Sequence, residues 1–193
     1  ALGRYQESLG YLQQARSMAL AMDDSSRAAW TDVYMGRNLA ARGDHAGAVR
    51  ALRRAVQFWP GDIPLYWLGR ELGMLGDMAA AREVEQELAA RAVAEPTKRN
   101  RISLNKLRGS LAFAEGDFEA AARFLETCPL DLDARLLLGR TYIALGRPEA
   151  GRAEFRFVIK NRFHSFIDSM AGVWPLAYYR LGVLAHETGD VAT

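Results

Sequence analysis

Two glycines separated by six residues, the second usually followed by aspartate, recur along this chain at a nearly regular interval. The pairs are Gly36/Gly43-Asp44, Gly69/Gly76-Asp77, Gly109/Gly116-Asp117, Gly139/Gly146 and Gly182/Gly189-Asp190. With 17 glycines in 193 residues, chance places about one or two such pairs, so five in phase mark a tandem array. Steps between successive first glycines are 33, 40, 30 and 43 residues, scattered around the interval of a helix-turn-helix repeat. An array of this kind stacks each repeat on its neighbours, and its usual work is to hold other molecules.

Each recurring residue has a local reason. The second glycine follows an apolar run and precedes aspartate, which reads as a helix end with glycine in the left-handed region. Asp44, Asp77, Asp117 and Asp190 then stand as N-caps of the following helix. In the repeat that has Arg147-Pro148 instead, proline at the first helical position starts the helix. The first glycine falls mid-helix, where it costs roughly 0.5–1 kcal/mol relative to alanine. That is tolerable where a neighbouring helix packs into the space of the missing side chain. Five residues beyond the second glycine the residue is small: Ala48, Ala81, Ala121 and Gly151.

Aligned on these glycines, the array resembles the tetratricopeptide repeat (TPR) family. The family's first-helix leucine position holds Met35, Leu68, Arg108, Leu138 and Leu181, and its closing proline is matched by Pro60. Its late alanine position holds Ala55, Leu88, Cys128 and Val158. The tryptophan position is poorly kept, with Asp32, Leu65, Asn105, Arg135 and Tyr178. The resemblance implies an all-α, right-handed superhelical array of antiparallel helix pairs, about five repeats with incomplete ones at both ends. The repeats fall at 1–24 (second helix only), 27–60, 63–95, 98–128, 132–162 and 175–193 (first helix only), in one tandem array over 1–193. A chain interrupted inside a repeat at each end is expected to be part of a larger protein.

Apolar spacing places helices at roughly 27–42, 45–58, 63–75, 78–94, 98–115, 118–127, 132–145, 148–162 and 175–188, after one carrying Leu9, Leu12, Ala15 and Met18. Ser25 or Ser26 is expected to cap the helix bearing Trp30, and Thr97 the helix from residue 98. Residues 161–175 exceed what the repeat requires and carry Phe163, His164, Phe166, Ile167 and Met170. The last helix is expected to present Trp174, Leu176, Tyr178, Leu181 and Leu184 as an uncovered apolar end face, so self-association through incomplete end repeats follows as an expectation.

Composition narrows the function. A net charge of +2 gives no general affinity for nucleic acid or anionic membrane. The 22 arginines against 3 lysines suggest a GC-rich bacterial genome. No apolar run reaches the ~18–20 residues of a membrane span and no signal peptide is visible, so a cytoplasmic protein without membrane contact is expected. His45, His164 and His186 lie in different repeats without metal-ligand spacing. His45 reads as inter-helix packing, His186 as an exposed helix residue and Cys128 as a buried, inert thiol. No phosphate-loop, nucleophile-elbow or dinucleotide-binding string occurs, so no enzyme activity, cofactor or metal is expected.

Two charged features stand out. Lys98, Arg99, Arg101, Lys106 and Arg108 read as a solvated helix face in preference to a nucleic-acid contact. Arginine follows the mid-helix glycine three times, as Arg37, Arg70 and Arg140. The TPR resemblance puts that position in the concave groove of the first helices, with Trp30, Tyr34, Tyr66, Trp67, Lys106 and Tyr179 nearby. Aromatic residues with arginine are the composition of binding hot spots. The expected function is therefore a scaffold that receives a protein or peptide segment, acidic in character, in that groove. The chaperone-tail clamp known in the family is not matched, since its positions hold Val33, Arg37, Trp67, Ser103 and Leu107. The alternative rests on the tail Trp174 to Asp190, which looks like repeats fused behind bacterial serine/threonine kinases and winged-helix regulators. It implies a regulatory or sensing segment that contacts an attached kinase or DNA-binding domain.

Overall fold

The structure, a computed structural model, describes residues 5–161 and 173–188. Those residues are helical, in the order α1 (Tyr5–Ala21), α2 (Ser25–Ala41), α3 (His45–Phe58), α4 (Asp62–Met74), α5 (Met78–Ala94), α6 (Lys98–Glu115), α7 (Phe118–Glu126), α8 (Leu132–Ala144), α9 (Pro148–Lys160) and α10 (Val173–Thr188). Helix bounds match the sequence expectation to within two residues. The long 161–175 segment lies almost wholly outside the described residues, as do Gly3, Gly189 and Asp190. The chain gathers into two compact units, residues 1–107 and 108–193, with the division inside α6.

The glycine-aspartate signature makes one turn, repeated. After α2, the Gly43 N–H donates to the Ala40 carbonyl at 2.9 Å and the Asp44 N–H to the Leu39 carbonyl at 3.0 Å. This paired closure is the Schellman motif, and it needs the residue after the cap in the left-handed region. Gly43 has φ +82°, and Gly76, Gly116 and Gly146 share the conformation at 81°, 82° and 70°. The aspartate then starts the next helix: Asp44 accepts from the Gly47 N–H at 2.8 Å, Asp77 from Ala80 at 3.2 Å, and Asp117 from Ala120 at 2.9 Å. Pro148 begins α9, and Arg147 adds no side-chain cap. Thr97 caps α6 as expected, accepting from the Asn100 N–H at 3.1 Å.

The α1–α2 turn departs from expectation. Its cap is Asp24, which accepts from the Arg27 N–H at 2.8 Å, while Ser25 and Ser26 are the first residues of α2. Asp23 takes the glycine's place with φ 55°, and the Asp24 N–H closes onto the Ala19 carbonyl at 2.9 Å. Aspartate tolerates this region because its short side chain can hydrogen-bond locally, so Asp23-Asp24 reproduces the Gly-Asp turn without a glycine.

In the first unit, α2 packs against α1, α3 and α4, and α4 against α3 and α5. A Cβ at Gly36 would stand 2.6 Å from Leu52 Cγ, and one at Gly69 would meet Leu107 at 2.8 Å. Ala48 and Ala81, each twelve residues after the glycine of their repeat, are fully buried at the crossings. In the second unit the same pattern joins α6 to α7 and α8 to α9. Leu125 fills the space over Gly109 and Phe155 the space over Gly139, and the core also contains Leu132, Leu136, Val158 and, from α10, Ala177 and Leu181. At Gly182 a Cβ would meet nothing within 4 Å among the described residues. On α10, Leu184 is buried and Leu181 half-buried against α9, so the outward face is narrower than expected and carries Leu176, Tyr178 and Tyr179.

Candidate functional site

The sequence places Arg37 and Arg70 one step after their mid-helix glycines, on α2 and α4. The structure brings both to one indole. The Arg37 guanidinium carbon lies 5.0 Å from the ring centre of Trp67 and that of Arg70 lies 4.7 Å from it. Arg37 also sits 5.8 Å from the Tyr34 ring, which stacks on Trp30 at 6.1 Å, and Trp30 meets Trp59 at 5.1 Å. On the other side of Trp67, Tyr66 contacts it edge-on at 5.2 Å, and Lys106 Nζ lies 4.2 Å from the Tyr66 ring. Seven of the nine sequence-selected residues thus form one continuous arrangement in the first unit: Trp30, Tyr34, Arg37, Tyr66, Trp67, Arg70 and Lys106. A cation over the face of a tryptophan or tyrosine is attracted by the ring quadrupole, worth ~0.5–2 kcal/mol depending on desolvation.

The rings themselves are less open than groove walls would be. Tyr66 and Trp67 are only 4% and 8% exposed, and Lys106 is buried. Arg37 and Arg70, which lie over the Trp67 ring, are both half-buried. Arg70 Nε also lies 3.8 Å from the buried Glu71 Oε1. The other Glu71 oxygen is hydrogen-bonded to His45 Nδ1 at 2.7 Å, which ties α3 to α4 and gives His45 the inter-helix place expected of it.

The remaining two selected residues belong to the second unit. Arg140 stacks on Phe113 at 4.8 Å, repeating the arginine-on-aromatic contact, and Tyr179 on α10 is 62% exposed. The basic stretch on α6 is not one solvated face. Arg99 pairs with Asp62 at 3.1 Å, Ser103 donates to the same carboxylate at 2.8 Å, and Lys106 is drawn in by Tyr66. Arg108 lies 5.8 Å from the Phe124 ring and is half-buried, while Lys98, Arg99 and Arg101 are exposed.

Sequence reasoning missed the buried ion pairs. Asp32, fully buried on α2, is held by Arg16 Nε of α1 at 2.8 Å and Arg54 Nη2 of α3 at 2.6 Å. In the second unit Arg135 reaches both oxygens of Glu154, at 2.8 and 2.7 Å. Both Asp32 and Arg135 stand at the family's tryptophan position, so an inter-helix ion pair replaces the aromatic contact there. The signal available was a charged residue at a position whose helical neighbours are apolar.

Cys128 is buried, its thiol directed at the Phe124 carbonyl 3.9 Å away, and His186 is exposed, both as expected. Among the described residues no group of three or more His, Cys, Asp or Glu side chains is placed to hold a metal, and no helix is long and apolar enough to cross a membrane.

Comparison with known proteins follows the same lines. Two tetratricopeptide repeat family models match the chain, at residues 29–54 and 112–156. Among solved structures, a thermophilic TPR protein of Thermus thermophilus superposes with a TM-score of 0.52 at 23% identity, over 84% of this chain and 89% of that one. No curated protein matches the sequence. These two stretches thus match tetratricopeptide repeats, which generally mediate protein–protein interaction, and the fold is that of a TPR-like helical array.

Proposed function

We propose that the chain is a protein-interaction module that receives an acidic peptide segment on the face of α2 and α4 where Arg37 and Arg70 flank Trp67. The observation that carries this reading is that two guanidinium carbons lie over that one indole, 5.0 and 4.7 Å from its centre. A guanidinium laid against a ring keeps its N–H donors in its own plane, directed sideways. It can therefore take a carboxylate through two parallel, charge-assisted hydrogen bonds while remaining stacked. The indole beneath both arginines holds their side chains in place, which reduces the entropy lost when a ligand binds. Trp30 and Tyr34, half-buried beside Arg37, supply apolar surface for a large side chain of the same segment.

The test is a selection of random linear peptides on the immobilised chain, followed by affinity measurement of the enriched sequences. Enriched peptides should combine Asp or Glu with an aromatic or long aliphatic residue. Reversing both arginines (Arg37→Glu with Arg70→Glu) should weaken them at least about 30-fold, the effect of a hot spot worth ~2 kcal/mol. Enrichment of basic or uniformly apolar peptides, or affinity unmoved by the reversal, would overturn the reading.

A further inference from the structure

Glu71 follows Arg70 in α4, and its side chain is only 1% exposed. A carboxylate taken this far out of water needs cations or hydrogen-bond donors close by. His45 Nδ1, on α3, is hydrogen-bonded to one of its oxygens at 2.7 Å. Arg70 Nε lies 3.8 Å from the other, Oε1, which is buried and accepts no hydrogen bond among the described residues. At that separation Arg70 compensates Oε1 as a charge and not as a donor. The same guanidinium lies over Trp67, 4.7 Å from the ring centre, and is half-buried. Arg70 is thus shared between the face of Trp67 and the buried Glu71, while His45 holds Glu71 by its second oxygen.

Other charged groups stand on the helices around α4. Arg37 of α2 lies over Trp67, and Arg42 at the end of α2 is exposed. Asp44 of α3 accepts from the Gly47 N–H, Arg82 and Glu85 of α5 pair at 2.6 Å, and Lys106 of α6 lies over Tyr66. At the indole itself two guanidiniums and the Glu71 carboxylate sum to a single positive charge. A bound segment with one carboxylate cancels it, and a segment with two leaves the site negative. The shortfall falls on Glu71, the group least able to turn to solvent. His45 can make it good. The hydrogen on Nδ1 already faces Glu71, so a proton added at Nε2, on a ring 27% exposed, makes the imidazole a cation without breaking that bond. Histidine is the side chain whose charge ordinarily changes between about pH 5 and 8.

We propose that binding of a segment with two acidic side chains at Arg37 and Arg70 draws a proton onto His45 Nε2, so that affinity rises as the solution becomes more acidic. This rests on the reading of that face as an acidic-peptide site and adds its regulation. His45 and Glu71 do not touch the segment; they are positioning residues that act through Arg70. The coupling is reciprocal. A proton on His45 takes over the compensation of Glu71 and leaves the Arg70 charge to the ligand. One proton taken up sets a ceiling of about tenfold in affinity per pH unit, and a fractional uptake gives less.

Isothermal titration calorimetry of the intact chain tests this, with a synthetic peptide carrying two adjacent glutamates and a tryptophan. The titrations run between about pH 6 and 8 in buffers of different ionisation enthalpy, which counts the protons taken up. In that range the peptide carboxylates stay ionised, so the protons counted belong to the protein. The parent chain should take up a fraction of a proton per peptide and bind severalfold tighter at the acidic end. His45→Gln keeps an N–H donor for Glu71 but cannot be protonated, so its uptake should vanish and its affinity should be the same across the range. Glu71→Gln, which removes the buried charge, should bind without uptake as well and serves if the first variant fails to fold. Uptake at any other histidine would persist in both. Peptide binding by the parent without proton uptake, or uptake that survives in either variant, would overturn the coupling and leave the peptide site standing. A parent chain that binds no acidic peptide at any pH would overturn both.

Discussion

Gly151 lies against Gly139 across the α8–α9 crossing, with the Gly139 carbonyl oxygen 2.7 Å from where a Cβ on Gly151 would stand. Alanine serves at the equivalent crossings, as Ala48, Ala81 and Ala121. Here Phe155 occupies the space over Gly139 where leucine does so at Gly36 and Gly109. Gly151→Ala should therefore destabilise the protein by about 1–3 kcal/mol, as overpacking of a close contact does, although alanine is the better helix former. An unchanged urea midpoint would show that the crossing can open freely.

The turn glycines separate backbone strain from steric fit, because a Cβ on Gly43, Gly76, Gly116 or Gly146 would meet nothing within 4 Å. Only the positive φ opposes substitution. Gly43→Ala should lower stability by about 1 kcal/mol and Gly43→Val by more, since Cβ crowding in the left-handed region is worse for a branched side chain. Gly10, helical within α1 and equally open, is the control. Gly10→Ala should raise stability by about 0.5–1 kcal/mol. Thermal melts in which both glycines respond alike would defeat the capping argument.

What could be read from residues alone followed from locality. A glycine, a small residue and a capping aspartate act within a few positions, so helix bounds and most turns emerge from spacing. Partners across helices were beyond reach. Asp32 looks like a departure from the repeat, and only its arginines, 16 positions before and 22 after, make it an anchor. Asp23 was passed over because aspartate in the left-handed region is not signalled by any repeat. The position of Arg37 was legible, but its partner Trp67 lies 30 residues on, and the burial of that ring under two cations depends on how α2 meets α4. Lys106 looked solvated because lysine usually is. The ring of Tyr66 draws it in.

Asp32 offers a test of what a buried charge contributes. Replacing Arg16 and Arg54 together by methionine would leave its carboxylate buried without a cation, which should destabilise the protein by about 3–5 kcal/mol. Adding Asp32→Leu removes the stranded charge and should recover most of that loss. Chemical denaturation of the double and triple variants decides the matter. A triple variant no more stable than the double would mean that lost packing, not the isolated carboxylate, accounts for the damage.

Tyr142 gives a pH signature. Burial, reinforced by the hydrogen bond its hydroxyl donates to Glu126 Oε1 at 2.8 Å, pushes its pKa up to about 12 from the ordinary 10.0. The folded state thus holds the phenol proton more tightly than the unfolded chain does. The resulting stabilisation is fully present below pH 10 and lost as pH rises through 12. Ultraviolet titration of the phenolates should show a late-ionising component that is absent in Tyr142→Phe and moves back toward 10 in Glu126→Gln. A titration curve unchanged by Tyr142→Phe would contradict this.

The arginine-flanked indole makes a prediction that distinguishes planar recognition from plain charge. If Arg37 and Arg70 only supplied positive potential, Arg37→Lys with Arg70→Lys would keep acidic-peptide affinity nearly intact. Lysine cannot lie flat on Trp67 or present two parallel donors to one carboxylate. The double lysine variant should therefore lose about tenfold or more in affinity, while the melting temperature shifts little because both side chains are half-buried at the surface. Salt separates the two contributions further. Screening weakens exposed charge pairs as ionic strength rises, so the parent and the lysine variant should lose affinity in parallel and keep a constant ratio. Trp67→Leu keeps the charges but removes the ring that holds the guanidiniums, and it should weaken binding even where Arg37 and Arg70 are unchanged. Fluorescence anisotropy with one selected peptide across a salt series measures all three chains. Equal affinities for the arginine and lysine forms at every salt concentration would reduce this face to an unspecific basic patch.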